Sequence, residues 1–207
     1  MWSFEEKARR KGYLRIAGVD EAGRGPLAGP VVSAAVILPD DPEGRAAMAA
    51  YAYEINDSKK LTPRKRQWLF DCIHNDAAGI GIGIVEAAEI DRVNILQASL
   101  QAMALAVSNL VPRPDYLLID GNFPIPLELP QESIVKGDAK SASIAAASIV
   151  AKVTRDRLME AYHRRYPRYG FSGHKGYPTR AHRQAIASYG PSPIHRRTFK
   201  GVREHVE

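Results

Sequence analysis

The sequence has almost no cysteine and no long apolar run, and both absences narrow the kind of protein it encodes. Cys72 is the one cysteine among 207 residues, which excludes an internal disulfide framework. The longest apolar runs, residues 31–38 and 144–151, hold about 8 residues each, whereas a membrane-spanning helix needs about 20. The amino terminus has early acidic residues and no apolar segment typical of an export signal. We therefore expect a cytoplasmic protein that does not cross a membrane.

Several familiar catalytic patterns are missing as well. The sequence has no Gly-x-Ser-x-Gly motif or other nucleophile pattern. His74, His163, His182 and His195 lack the spacing of metal ligands, so we interpret each as a structural or surface residue. Cys72 lies within a predicted helix and is interpreted as a core thiol.

Basic residues are in excess. The chain has 29 Lys and Arg against 23 Asp and Glu, a net charge of +6, which suggests a polyanionic partner. The basic residues fall in clusters, with aromatic residues interleaved among the later ones: Lys59-Lys60, Arg64-Lys65-Arg66, Arg164-Arg165, His174-Lys175 and Arg196-Arg197. These clusters indicate a nucleic-acid surface or, as the simpler alternative, a solvated basic face.

The order of elements predicts an α/β fold. Apolar patterns predict strands over 14–19, 30–38, 79–85, 116–119 and 133–136. Helices are predicted over 3–11, 62–78, 90–110, 141–166 and 179–189, with loops over 39–44 and 167–178. The short joint between the first two strands favours an antiparallel hairpin. Later strands alternate with helices, so we expect a mixed five-stranded sheet flanked by helices, with helical material added after about residue 167.

Acidic residues stand where three of the predicted strands end. Asp20 and Glu21 follow the first strand, Asp120 the fourth and Asp138 the fifth. Ligands of open α/β sheets gather beyond strand ends, so the four carboxylates are expected to converge. A set of oxygen ligands suits Mg²⁺ or Mn²⁺, and two such ions can hold a phosphodiester. Helix caps or turn residues are the simpler alternative, and an aspartyl-phosphate enzyme is another, although it leaves the basic surplus unexplained.

Two glycine-rich segments are further candidates. Gly23-Arg24-Gly25 directly follows the acidic pair, and glycines let a backbone approach a ligand closely. The segment matches neither a dinucleotide fingerprint nor a phosphate loop, and a tight hairpin turn is the alternative. The loop over residues 173–178 is dense in glycine, aromatic and basic residues, which is typical of functional loops.

Residues 19–31, Val-Asp-Glu-Ala-Gly-Arg-Gly-Pro-Leu-Ala-Gly-Pro-Val, resemble the signature of the ribonuclease HII family, the bacterial type 2 ribonucleases H. Further matches follow in order, and together they span about residues 13–200: Asp57–Leu61, Asp91–Ile95, Asp120–Asn122, Lys136–Asp138, Ser143–Asp156, His174–Thr179 and Gly190–Arg196. The resemblance implies a ribonuclease H-like catalytic domain over 1–166 and a C-terminal loop and helical extension over 167–207.

The resemblance also implies an activity and a set of site residues. It implies an endonuclease that hydrolyses RNA in RNA–DNA hybrids and cuts 5′ of single ribonucleotides in duplex DNA, leaving 5′-phosphate and 3′-hydroxyl ends. Catalysis would use Mg²⁺ or Mn²⁺, with two ions when substrate is bound. The implied metal-binding catalytic residues are Asp20, Glu21, Asp120 and Asp138, and the implied substrate-binding residues are Gly23, Arg24, Gly25, Lys59, Lys60 and Tyr177. Tyr177 would pack on the sugar at the RNA-to-DNA junction.

Two other functions stay open at this point. One is a type 3 ribonuclease H with a different cut preference, although the 19 residues before Asp20 leave no room for that group's extra N-terminal domain. The other is a non-catalytic hybrid-binding protein, which would bind tightly and salt-sensitively without turnover. Residues 201–207 show no recognisable sliding-clamp peptide, so we expect no clamp contact through the tail. We expect a monomer.

Overall fold

A mixed five-stranded sheet lies at the centre of the computed structural model, which describes residues 1–52, 54–55 and 61–206. Its strands are β1 (Ile16–Ala22), β2 (Val31–Ile37), β3 (Gly79–Val85), β4 (Tyr116–Asp120) and β5 (Gln131–Ile134). The spatial order is β3-β2-β1-β4-β5. β1 pairs antiparallel with β2, and β2 with β3, whereas β4 runs parallel to both β1 and β5. The predicted mixed sheet and the predicted β1–β2 hairpin are confirmed.

Helices cover both faces of this sheet. In the described part of the chain they are α1 (Ser3–Arg10), α2 (Pro42–Ala49), α3 (Pro63–Asp76), α4 (Ala87–Val93), α5 (Ile95–Ser108), α6 (Ala142–Arg165), α7 (Phe171–His174) and α8 (Arg180–Tyr189). Short 3₁₀ turns lie at Gly137–Ala139, Pro167–Tyr169 and Arg203–His205. The predicted start of α3 is confirmed, because Thr62 Oγ1 accepts a hydrogen bond from the Lys65 amide at 3.3 Å.

The single helix predicted over 90–110 is wrong. The chain forms α4 and α5, which are separated at Asn94. Asn94 adopts a φ of 72°, which ends α4. Its Oδ1 then accepts from the amides of Leu96 and Gln97 at 3.0 and 3.1 Å, which caps α5. The apolar periodicity continues across the break and hides it.

Other boundaries also differ from the prediction. The predicted loop 39–44 contains the start of α2, where Asp41 Oδ1 accepts from the Gly44 amide at 2.8 Å. β5 begins and ends two residues earlier than predicted, and the predicted loop 167–178 contains α7. None of the helices in the described residues is both long and apolar enough to span a membrane.

α6 and α5 lie on opposite faces of the sheet. The first half of α6 is fully buried and packs with α3 over one face, whereas Met103 and Val107 of α5 pack with Val19 and Ile119 on the other. α6 approaches β1 closely at Gly18, where an added Cβ would overlap the backbone at Ser143. This contact places the N-terminus of α6 beside the ends of β1 and β4.

The segment after α6 folds back onto the β1–β2 loop. The Leu27 amide donates to Gly176 O at 2.8 Å, and the Gly29 amide donates to Ile194 O at 2.8 Å. Ala28 also forms an isolated β-bridge with His195. The helical extension predicted from the resemblance is present, while the boundary between 1–166 and 167–207 stays a prediction.

Candidate active site

Asp20 and Asp120 are neighbours at the ends of two parallel strands. The β1–β4 register pairs Val19 with Ile119, so the next residue of each strand is one of these aspartates. Neighbouring strands lie about 4.8 Å apart, and side chains in register point to the same face. Asp20 is 4% exposed and Asp120 is half-buried. Asp20 lies inside β1 rather than after it, because β1 extends to Ala22.

The face of the sheet to which Asp20 points is the one covered by α6. Gly18, two residues before Asp20, faces the backbone of the first turn of α6. Leu118, two residues before Asp120, belongs to the same buried cluster as Ile144 of α6. Since strand side chains alternate with a period of two, Asp20 points to the α6 side of the sheet. Asp120, the last residue of β4, is bonded to the turn before α6 and also borders a pocket lined by α5.

Asp138 is brought to the same place by the 3₁₀ turn before α6. The amide of Gly137 donates to Asp120 Oδ1 at 2.6 Å, which ties this turn to the end of β4. Asp138 is the next residue and is 8% exposed. Asp20 Oδ1 accepts in turn from the Glu21 amide at 2.6 Å. Three predicted acids therefore gather at one edge of the sheet.

Glu21 lies on the other face of β1, because it follows Asp20 in an alternating strand. It lines a small pocket together with Arg24, Asp120 and Phe123. Arg24 Nη1 lies 3.5 Å from Glu21 Oε1. In the ranges that the structure describes, no three His, Cys, Asp or Glu side chains are close enough to hold a metal ion together. The metal-ligand role of the four acids thus stays a prediction.

The chemistry of the donor set fits a hard divalent cation. All four candidate ligands are carboxylates, without a nitrogen or sulfur ligand among them, which favours Mg²⁺ or Mn²⁺ over zinc. Asp20 and Asp138 are buried, and a buried carboxylate is stabilised by positive charge.

The side chain of Arg196 fixes the backbone of the Gly23-Arg24-Gly25 turn through hydrogen bonds. The guanidinium donates from Nε to Gly29 O at 3.0 Å and from Nη1 to Arg24 O and Pro26 O at 3.0 and 2.9 Å. Nη2 donates to Gly23 O at 2.5 Å. The turn's backbone is therefore fixed, while Arg24 itself is exposed.

The assignment of Arg196 to the basic surface is wrong. Its side chain is fully buried, and burial lowers its pKa to about 9, so it remains a cation at neutral pH. Arg66 is likewise 9% exposed and donates to Leu61 O at 2.8 Å. Arg64, Arg164 and other members of the predicted clusters are exposed, so the basic surface is smaller than the sequence indicates.

A second buried arginine, Arg155 of α6, joins two loops of the site. It donates to Pro30 O and Ala28 O at 2.9 and 3.0 Å, and to Lys175 O at 3.0 Å. Burial lowers its pKa to about 10. Gly23 has a φ of 106°, and a Cβ there would overlap the Arg155 side chain, so glycine is required. Sequence reasoning assigned no role to Arg155, because it stands among other charged residues, Lys152, Asp156 and Arg157, and nothing in the pattern distinguishes it from them.

Tyr177 completes the surface beside the turn. Its ring is 43% exposed, and a Cβ added at Gly25 would lie 3.7 Å from Tyr177 Cε1. Lys152 Nζ lies 6.0 Å from the ring centroid. The turn and Tyr177 thus lie next to each other at the surface, and their joint role in substrate binding stays a prediction. Lys59 and Lys60 lie outside the described residues.

His182 and His195 are structural residues, as interpreted from the sequence, and are 0% and 2% exposed. Burial is the main reason that the pKa of His182 is lowered to about 4 and that of His195 to about 3. The third member of this cluster is His174, whose ring stacks on His182 with centroids 4.3 Å apart.

Mild acid is expected to destabilise the protein through these two histidines. Between pH 6.5 and pH 4 the unfolded chain binds protons that folded His182 and His195 do not, so the free energy of unfolding falls as pH falls. The slope is at most about 1.4 kcal/mol per pH unit for each histidine. Urea unfolding at pH 7 and pH 5 measures this difference. His195→Gln should reduce the difference in free energy of unfolding between the two pH values, whereas His74→Gln, at an exposed position, should leave that difference unchanged. The same difference in the wild type and in both variants would contradict the role of the buried histidines.

Known proteins resemble this chain both in sequence and in fold. The family model "Ribonuclease HII" matches residues 17–202. The ribonuclease HII of Geobacter sulfurreducens is 58% identical, over 100% of this chain and 91% of that protein. The crystal structure of ribonuclease H2 from Pyrococcus horikoshii OT3 is similar with a TM-score of 0.73 and 29% identity, over 92% of this chain and 96% of that one. The Archaeoglobus fulgidus RNase HII, solved in complex with PCNA, gives a TM-score of 0.74 at 27% identity, over 90% and 96%.

Proposed function

The chain belongs to the ribonuclease HII family, and we propose that it works through the acidic sheet edge and the Gly23-Arg24-Gly25 turn beside it. Its activity is that of a ribonuclease HII: it hydrolyses RNA in RNA–DNA hybrids and cuts at ribonucleotides embedded in duplex DNA. The observation that supports the proposed site is the convergence of Asp20, Asp120 and Asp138 at one edge, next to an arginine-braced loop.

The four acids would hold the catalytic metal. We assign Asp20, Glu21, Asp120 and Asp138 as ligands of Mg²⁺ or Mn²⁺, with two ions when substrate is bound. When bound, such ions lower the pKa of an attacking water and stabilise the leaving 3′-oxygen. Gly137 fixes one ligand, since its amide holds Asp120 Oδ1. Cleavage on the 5′ side of the ribonucleotide would leave a 5′-phosphate and a 3′-hydroxyl.

Recognition of the ribonucleotide falls to the turn and to Tyr177. At a single nucleotide, RNA differs from DNA by the 2′-hydroxyl, which both donates and accepts a hydrogen bond. The backbone of Gly23 and Gly25 has no side chain to keep a sugar away, and Arg196 prevents the turn from rearranging. Tyr177 supplies a ring for the sugar at the RNA-to-DNA junction. Recognition beside Asp20 and Glu21 would couple the 2′-hydroxyl to the chemistry.

The remaining substrate contacts and partners follow the same proposal. Lys59 and Lys60 are assigned to the substrate-binding set on their motif. The substrates are RNA–DNA hybrids and ribonucleotide-containing duplex DNA, bound by a monomer in the cytoplasm.

A non-catalytic binding role is less favoured, because clustered carboxylates weaken the attraction for a polyanion unless they hold cations. The family match favours the type 2 over the type 3 cut preference.

Tyr177→Ala is expected to reduce the junction ratio, defined as the cleavage rate at one embedded ribonucleotide divided by the rate on a continuous RNA–DNA hybrid. Loss of one ring–sugar or ring–base contact is worth about ten- to a hundredfold, and a continuous hybrid depends less on a junction. Single-turnover rates on two end-labelled substrates give the ratio. Tyr177→Phe keeps the ring and should stay closer to wild type. An unchanged ratio in Tyr177→Ala would overturn the role of Tyr177.

A further inference from the structure

A chain of hydrogen bonds runs through the C-terminal extension and ends on Tyr177. The amide of Ser192 donates to His195 Nδ1 at 2.9 Å. His195 Nε2 lies 3.0 Å from His182 Nε2, and His182 Nδ1 lies 3.0 Å from the carbonyl oxygen of Tyr177. Both imidazoles are buried, so these contacts are shielded from water.

The two ends of this chain fix the position of every proton in it. The Ser192 amide can only donate, so His195 Nδ1 accepts and its proton lies on Nε2. His195 Nε2–H then donates to His182 Nε2, and the proton of His182 lies on Nδ1. That Nδ1–H donates to the Tyr177 carbonyl, which can only accept. Both histidines are neutral in this arrangement, and burial keeps their pKa values below 6.5.

The peptide of Tyr177 is held on its other side by His174. The Tyr177 amide donates to His174 O at 2.9 Å. His174 is itself fixed, because its Nε2 donates to Tyr169 O at 2.8 Å and its Nδ1 accepts from the Gly176 amide at 3.2 Å. The Tyr177 ring is 43% exposed, so its position depends on its backbone more than on packing around the ring.

From this geometry we infer that His182 is a positioning residue for ribonucleotide recognition: its Nδ1–H, together with the Thr179 amide at 2.8 Å, fixes the Tyr177 carbonyl and so directs the ring towards Gly25. His195 acts indirectly: its Nε2–H donates to His182 Nε2 and so keeps His182 in the tautomer that donates to Tyr177. The inference rests on the proposed role of Tyr177. An apolar side chain at 182 would fill the core without burying polar groups, so the buried donor indicates a directional task.

Two substitutions at residue 182 separate the donor to Tyr177 from the rest of the contact. In His182→Asn the side-chain amide occupies the position of Nδ1 and can still donate to the Tyr177 carbonyl. In His182→Gln the amide occupies the position of Nε2, which preserves the contact to His195 and loses the donor. Both variants remove the imidazole, so a merely structural role predicts similar effects. We expect the Asn variant to keep the junction ratio within about twofold, and the Gln variant to lower it about tenfold, the size of one buried hydrogen bond.

A second pair tests the same chain at His195. His195→Gln supplies a donor to His182 Nε2 and should keep the junction ratio. His195→Leu removes it, which frees His182 to place its proton on Nε2, and should lower the ratio. Rates are measured well below each variant's melting temperature, and if His182→Gln does not fold, the His195 pair decides.

The outcomes separate this inference from the proposed function. Equal ratios within both pairs, with a low ratio in Tyr177→Ala, would overturn the positioning role and leave the role of Tyr177 intact. A wild-type ratio in Tyr177→Ala would instead overturn the proposed recognition by Tyr177 itself. A low ratio in His182→Gln and His195→Leu, with recovery in their partners, supports the inference.

Discussion

Replacing Asp20 or Asp120 with asparagine is expected to reduce cleavage of an RNA–DNA hybrid at least about a thousandfold, because residues that act as a unit in catalysis lose nearly all activity together. Asparagine keeps the side-chain oxygen that accepts the backbone amide of Glu21 or Gly137. It removes the negative charge that the metal requires. The fold should therefore persist while activity is lost, as measured by hybrid cleavage and by thermal unfolding.

Glu132→Gln is the matched control for these two variants. Glu132 lies on β5 and pairs with Lys7 at 3.0 Å on the surface, so the substitution removes a carboxylate from the same sheet away from the acidic edge. Its cleavage rate should match wild type. Full activity in a folded Asp20→Asn or Asp120→Asn protein would contradict the assignment of the acids.

Arg196→Met is expected to lower the free energy of unfolding by about 3–5 kcal/mol, because several backbone carbonyl groups lose their buried donor at once. Arg196 donates to four carbonyl oxygens of the β1–β2 loop, and methionine leaves all four without this donor. Each buried carbonyl left unsatisfied costs about 1–3 kcal/mol, partly recovered by relaxation. Urea unfolding at neutral pH measures the change.

Arg197→Met is the internal comparison, because Arg197 is the next residue and its side chain is exposed. We expect a change within about 0.5 kcal/mol there, as for most surface substitutions. Arg196→Lys keeps the charge without the planar fork and should recover only part of the loss. Equal stability of Arg196→Met and Arg197→Met would show that the loop does not depend on the buried guanidinium.

The sequence alone predicts that Asp20 and Asp120 lie close together, because both follow apolar runs that form strands. Apolar runs end at Asp20 and Asp120, and parallel strands bring their ends to one edge. The sequence does not show where β1 ends, and so it does not predict towards which face of the sheet the side chains of Asp20 and Glu21 point. β1 continues through Glu21 to Ala22, so alternation sends Asp20 and Glu21 to opposite faces. The doubled acid was predicted as one group; Glu21 lines a pocket with Asp120, and a joint role of Asp20 and Glu21 at one metal stays a prediction.

The buried arginines were hidden for a different reason. Arg196 stands beside Arg197 in a basic pair, and composition assigns both to the surface. Its burial depends on carbonyl groups about 170 residues earlier in the chain, in the loop between β1 and β2. No local pattern contains that information. Similarly, Asn94 divides α4 from α5 by adopting a positive φ within an unbroken apolar periodicity.

The most direct test of the account is the position of the cut in an end-labelled DNA duplex that carries one ribonucleotide, incubated with EDTA, Mg²⁺ or Mn²⁺. The account predicts no cleavage in EDTA and, with either metal, one cut on the 5′ side of the ribonucleotide that leaves a 3′-hydroxyl and a 5′-phosphate. A 2′-deoxy nucleotide at the same position should abolish the cut, since the turn and Tyr177 would lack the hydroxyl they recognise. Cleavage in EDTA, or failure to cut this duplex while continuous hybrids are cut, would contradict it.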